Sequence, residues 1–308
     1  MLLRTPIEDA PLPIRLTHRT PVMLMGSCFA THITERLLAR GFDAQLSMGT
    51  LYNPASIAQA IRRMHDTALL TPMDLFVQNG QYHSYEFHSD FSDTDSDTAL
   101  QKMNTSIATS HRLLSQSGVL FVTLGTAFVY TLNANGRIVA NCHHSDAALF
   151  TRKLLSVDEC VGYMEDIVAH CPEKSIVWTV SPIRHLSDGL HGNNISKGTL
   201  LLAIEQICRQ YADRCHYFAA YEAVIDDLRD YRFYADDMTH PSSLAADYVY
   251  ERLEATAMDR QTQAVAAQYL KLNKILNHRS KQPESEAHRQ LVRQTKEALL
   301  ALDKQYKS

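Results

Sequence analysis

The stretch Met23-Leu24-Met25-Gly26-Ser27-Cys28-Phe29-Ala30 decides the fold. An apolar run from Pro21 to Met25 reads as a buried parallel strand, and Ala30 to Arg40 carries apolar residues at helical spacing. Ser27 therefore occupies a strand-to-helix turn. The carboxyl ends of parallel strands are where open α/β sheets bind ligands, and the unpaired amides of a helix start can stabilise an oxyanion. A serine there is a candidate nucleophile, although Gly-Ser also serves many ordinary turns, the glycine for its backbone freedom and the serine as a helix cap.

A base for that nucleophile lies far downstream in Asp237-Met238-Thr239-His240-Pro241, just before an apolar-periodic helix from about Leu244 to Met258. An Asp-x-x-His turn can aim both side chains one way, the carboxylate orienting the imidazole that takes the serine proton. The same spacing also suits a capped loop with a solvated histidine.

A serine after the first strand, a glycine after the second and Asp-x-x-His near the domain end together resemble the SGNH (GDSL-like) hydrolases. More closely, Gly26-Ser27-Cys28-Phe29-Ala30 resembles the name-giving motif of the bacterial GSCFA family. Leu51-Tyr52-Asn53-Pro54-Ala55-Ser56-Ile57, Asn141-Cys142-His143, Thr179-Val180-Ser181-Pro182-Ile183-Arg184-His185 and Asp230-Tyr231-Arg232-Phe233-Tyr234 resemble further stretches of it. The resemblance spans about Pro21 to Leu253. It implies a three-layer α/β/α, flavodoxin-like parallel sheet and serine acyl chemistry, with Ser27, His240 and Asp237 as nucleophile, base and orienting carboxylate. It calls for neither cofactor nor metal. The superfamily's glycine after strand two corresponds to Gly49, whose amide would join that of Ser27 at the oxyanion. The superfamily's Gly-x-Asn-Asp turn after strand three reads Gly125-Thr126-Ala127-Phe128 here, so its donor asparagine is missing. Asn141 and Asn53 are the candidates to replace it, each equally able to bond its own turn backbone.

Reading along the chain, strands alternate with amphipathic segments in doubly wound order. A second strand spans about Phe42 to Leu46, and Pro54 opens a helix to about Met64. Phe76 to Ser96 is a polar and aromatic excursion in which Tyr82 to His88 suits either a substrate loop or a partly exposed hairpin. After a helix near Thr98 to Ser117 comes a strand at Val119 to Leu124, followed by a hairpin, Phe128 to Leu132 and Arg137 to Ala140, turning at Asn135-Gly136. Helices near Val157 to His170 and Lys197 to Ala212 alternate with strands at Ser175 to Val180 and Cys215 to Ala219. Arg184 and His185 follow a strand, so they belong on the rim of Ser27; Arg184 suits a substrate anion or an ion pair with Glu222 or Asp230.

The charge is −4 over 308 residues, with 45% hydrophobic and 21% charged, which gives no reason to expect nucleic acid. No segment is apolar for long enough to span a bilayer, and Met1 to Asp9 does not read as a signal peptide. The expected setting is cytoplasmic, the expected partner a small-molecule or carbohydrate acyl ester, and the oligomeric state stays open. The six cysteines contain no Cys-x-x-Cys pair and read as reduced; Cys28, at the helix start beside Ser27, is the alternative nucleophile. His143, His144, His185 and His191 form no metal-ligand spacing. Residues 1–258 form the expected GSCFA domain. Residues 259–308 hold ten Lys or Arg against five Asp or Glu and read as two helices, Gln261 to His278 and Glu286 to Tyr306, the second opened by Pro283. These form either a hairpin packed on the domain or a basic docking arm. With water as acceptor the chemistry is that of an esterase, with a metabolite hydroxyl that of an O-acyltransferase, and with the altered oxyanion turn the scaffold also suits a noncatalytic binder.

Overall fold

Burial on both faces of three strands builds the centre of the molecule. The computed structural model describes residues 5–8, 10–278, 280, 282 and 285–307. The chain starts with β1 (Val22–Gly26), α1 (Cys28–Ala39), β2 (Ala44–Thr50) and α2 (Pro54–His65). A hairpin of β3 (Phe76–Gln78) and β4 (Gln81–His83) precedes α3 (Ser96–Gln116) and β5 (Val119–Leu124). Next come β6 (Phe128–Leu132), β7 (Ile138–Val139), β8 (Phe150–Leu154), α4 (Val157–His170) and β9 (Ser175–Val180). The domain closes with α5 (Gly189–Gln210), β10 (Cys215–Tyr217), α6 (Ala220–Glu222), a π-helical continuation over Ala223–Leu228, and α7 (Ser243–Ala257); α8 (Arg260–Asn277) and α9 (Glu286–Tyr306) follow.

Five strands pair in the order β2-β1-β5-β9-β10, every pairing parallel. Strand direction in the side-chain sense alternates, so successive residues enter opposite cores. Met23, Met25, Leu120, Val122, Ile176 and Trp178 pack with Ile61, Met103, Met164 and Leu200 of α2 to α5. Val22, Leu24, Phe121 and Val177 pack on the other face with Phe29 and Ile33 of α1 and Val249 and Leu253 of α7. The result is a three-layer α/β/α domain of flavodoxin-like strand order. Its chain direction reverses between β1 and β5, the place where such sheets bind ligands.

Several boundaries differ from the sequence reading. Strand two runs to Thr50 because Met48 and Gly49 take left-handed backbone (φ 61 and 71), and the β1–β2 register shifts there. This bulge carries the strand past its apolar run. Helix α5 begins at Gly189, eight residues before Lys197, through a Gly-Asn-Asn stretch of poor helix formers; Asn193 Oδ1 is held there by the His185 amide at 3.0 Å. The hairpin after β5 gains β8, so β7-β6-β8 is a separate antiparallel sheet. In the excursion, Asn79-Gly80 turns β3 into β4 with both φ positive, as a two-residue hairpin requires. Glu86 then receives Arg63 (2.6 Å) and Arg137, tying the excursion to α2.

The C-terminal helices lie on the domain. Tyr269 of α8 is buried and stacks on His18, Asn273 donates to Ala39 O at 2.9 Å, and Tyr269 donates to Asp303 of α9 at 2.9 Å. Pro283 and residues 1–4 and 9 lie outside the described residues. Among the described residues, no helix is long and apolar enough to cross a membrane.

Candidate functional site

Gly26 ends β1 at φ +126, and a Cβ there would fall 2.1 Å from Thr123 O, so the turn admits only glycine. Ser27, just past the strand, stays tied to the sheet through its amide. Its amide donates to Thr123 O at 3.0 Å, its side chain is 1% exposed, and among the described residues its hydroxyl has no hydrogen-bond partner. Ser27 is the N-cap residue of α1 by position, yet its side chain makes no cap bond. Helix α1 is oriented by Phe29, Ile33 and Leu37, a stripe fully inside the core. Burying Phe29 alone contributes about 2–3 kcal/mol, and one residue of helix is a rotation of about 100°. That rotation brings Cys28 away from the core stripe and into a cleft of about 660 Å³ beside His240, His185, Tyr52 and Asn53.

The cleft joins the predicted base to the cysteine. His240 Nε2 lies 3.9 Å from Cys28 Sγ, across 212 residues of sequence. On the other side of the ring, Nδ1 is 2.5 Å from Asp237 Oδ2 and 3.1 Å from Thr239 Oγ1. Asp237 Oδ1 accepts the amides of Thr239 and His240, both at 2.9 Å. Those amides, with the imidazole, hold the Asp237 carboxyl well below the usual carboxylate range. Burial pushes the Cys28 thiol up, against its own backbone amide, the Tyr52 hydroxyl and the nearby Lys197, which favour the thiolate. Cys28 at rest is therefore a thiol that needs a base.

The loop bearing His240 is braced from two sides. Ala235 N donates to His240 O at 2.8 Å, closing a short turn in which Met238 is left-handed (φ 57). Arg184 donates to the Met238 carbonyl while its guanidinium packs over Tyr234 (4.5 Å) and Tyr231 (5.0 Å). Arg184 forms an ion pair with neither Glu222 nor Asp230, because Glu222 accepts from Tyr217 at 2.8 Å and Asp230 pairs with Arg232 at 2.9 Å. Arg36 donates to Asp247 (2.8 Å) and to Ser243 O (2.8 Å), fastening α1 to the start of α7. This strap fixes Cys28 relative to His240.

The remaining sequence candidates are placed around the turn. Gly125 N donates to Tyr52 O at 2.7 Å, and its own carbonyl accepts from Lys197. Asn53 caps α2, its Oδ1 accepting from Ser56 N at 2.8 Å, and lines the cleft. Asn141 also lines it, with Oδ1 accepting from His143 N at 2.8 Å and Nδ2 donating to Ser89 at 3.4 Å. Gly49 stands against the Phe91 ring and is absent from the cleft lining. His185 lines the cleft, and burial together with Lys197 pushes its imidazole down to about 4. Among the described residues, no group of three or more His, Cys, Asp or Glu is placed to hold a metal ion.

Two participants escaped the sequence reading. Lys197 of α5 is 1% exposed and donates to Gly125 O (2.6 Å) and Ser181 O (2.7 Å), joining the carboxyl ends of β5 and β9 beneath the cleft. Burial pushes its ammonium down to about 7. Lysines are seldom fully buried, and its sequence neighbourhood carried no cue. Tyr52 falls within a stretch quoted above but carried no expected role; its hydroxyl now faces Cys28.

The profile of the GSCFA family matches residues 21–253. No curated protein matches the chain. Among solved structures, a family 3 carbohydrate esterase of Clostridium thermocellum is 10% identical, with a TM-score of 0.39, covering 81% of this chain and 98% of its own. A GDSL-like lipase of Bacteroides thetaiotaomicron is 10% identical, with a TM-score of 0.35, covering 80% of this chain and 88% of its own.

Proposed function

The chain belongs to the GSCFA family, and on that footing we propose that it is an acyl hydrolase for a small-molecule or carbohydrate ester, with Cys28 as nucleophile. The observation that carries this reading is the alignment of Cys28 Sγ, His240 and Asp237, the first two lining one cleft, against a Ser27 hydroxyl that is buried without a partner among the described residues. His240 Nε2 takes the thiol proton as Sγ bonds to the ester carbonyl carbon, and the carbonyl electron pair moves onto oxygen. Collapse restores the carbonyl, breaks the bond to the alkoxide and returns the proton from His240 to it, leaving a thioester on Cys28. Water, deprotonated by His240, then releases the acid and the thiol. Asp237 keeps the ring oriented and stabilises the imidazolium.

Transfer to a hydroxyl is the second reading. The cleft runs on from Cys28 past Phe128, Tyr130, Phe150 and Arg152, which leaves room for an acceptor beside the acyl donor. Its aromatic walls and polar rim suit a sugar-like molecule.

The test compares Cys28→Ala with Ser27→Ala on 4-nitrophenyl acetate, with sugar alcohols added as acceptors. The expected result is loss of at least about 10³-fold in Cys28→Ala and retention of most activity in Ser27→Ala. The reverse pattern assigns the attack to Ser27 instead. Absence of turnover in the native protein, with no acetylated acceptor formed, supports the noncatalytic binder and refutes the enzyme.

A further inference from the structure

The proposed attack leaves negative charge on the carbonyl oxygen, and the two backbone amides expected from the sequence to receive it are committed elsewhere or absent from the cleft. The Ser27 amide is bonded to Thr123 O, and Gly49 does not line the cleft. One buried ring nitrogen beside the turn is unused. His185 Nε2 is shielded from solvent and has no hydrogen-bond partner among the described residues. A Cβ built on Gly125 would lie 3.3 Å from that nitrogen and 3.3 Å from Ser27 Cβ, so the imidazole faces the β1–α1 turn across Gly125. Its backbone is fixed by the bond from His185 N to Asn193 Oδ1, and its ring packs edge-on against Tyr52, whose hydroxyl reaches Cys28.

We infer that His185, resting on the acyl-transfer reading above, is a catalytic residue that donates Nε2–H to the developing oxyanion, taking the place of the missing asparagine. An unpaired buried donor costs stability in the resting protein, and its retention is explained when the partner arrives only with the reaction. Burial and the neighbouring Lys197 keep the ring neutral, so it stabilises the anion by hydrogen bonding without handing over a proton. Glycine at 125 keeps the gap between Nε2 and the turn open, since a methyl group there would close both contacts at once.

The experiment is steady-state hydrolysis of 4-nitrophenyl acetate by the native protein, His185→Ala and His185→Gln, together with the rate of Cys28 alkylation by iodoacetamide. Alkylation needs the thiol and its base but forms no oxyanion. The expected result is a kcat lowered on the order of 10²–10³-fold in His185→Ala at nearly constant KM. Alkylation should stay within about twofold of native, and His185→Gln, whose Nε2 reaches the same point, should recover most of kcat. Unchanged kcat in His185→Ala overturns the inference while leaving the Cys28 reading intact. A parallel fall in alkylation makes His185 a structural support and also overturns it. Absence of Cys28-dependent turnover in the native protein overturns both.

Discussion

Replacing Lys197 by methionine separates the two opposing costs of a buried cation. The native Nζ satisfies the carbonyls of Gly125 and Ser181, and an orphaned buried carbonyl costs about 1–3 kcal/mol, so methionine forfeits several kcal/mol at any pH. Against this, the lysine titrates near 7 in the folded protein and at 10.5 in the unfolded chain. Below pH 7 both states are protonated and the charge burial costs about 5 kcal/mol, which nearly cancels the gain from the carbonyls. Between 7 and 10.5 the unfolded chain binds the extra proton, so native stability rises with pH by about 1.4 kcal/mol per unit. A neutral amine still has two N–H groups for the two carbonyls. Urea unfolding of both proteins from pH 6 to 9.5 isolates the effect, because every other titration is shared. The native protein should gain about 2–4 kcal/mol on Lys197→Met across that range and nothing below about pH 6. A stability difference independent of pH would refute the reasoning.

Two further outcomes follow from the site's supports. Gly26→Ala places a methyl 2.1 Å from Thr123 O on a backbone that side chains rarely adopt, so it should destabilise by more than about 4 kcal/mol and lower the melting temperature measured by circular dichroism. Arg184→Ala removes the bond to Met238 O and the packing over Tyr231 and Tyr234 that hold the His240 turn. Its kcat on 4-nitrophenyl acetate should fall by about tenfold or more, and Arg184→Lys should not restore it, because an ammonium lacks the planar face.

The parallel sheet was legible because each central strand is a mostly apolar run, the mark of burial on both faces. Asp237 and His240 were legible as a pair because three residues of tight turn bind them to each other. Which of two adjacent residues meets His240 was not legible. Ser27 and Cys28 differ only by the rotation that Phe29 imposes on α1, and that rotation depends on a core assembled from α7 and the sheet. The start of α5 was hidden for a related reason, since its Gly-Asn-Asn turn contradicts local propensity and is supported by Asn193 accepting from the distant rim. Strand β8 owes its conformation to pairing with β6, which its own polar sequence, Phe150-Thr-Arg-Lys-Leu154, does not announce.

The 212-residue separation between the thiol and the imidazole gives the proposed reaction a timetable. A chain still emerging from the ribosome carries the sulfur but has neither the α7 contacts that orient α1 nor the imidazole that would draw off its proton. On the proposed reading the chemistry waits until α7 docks and the Arg36 strap closes, so half-made molecules carry a protonated sulfhydryl rather than an unsupervised nucleophile.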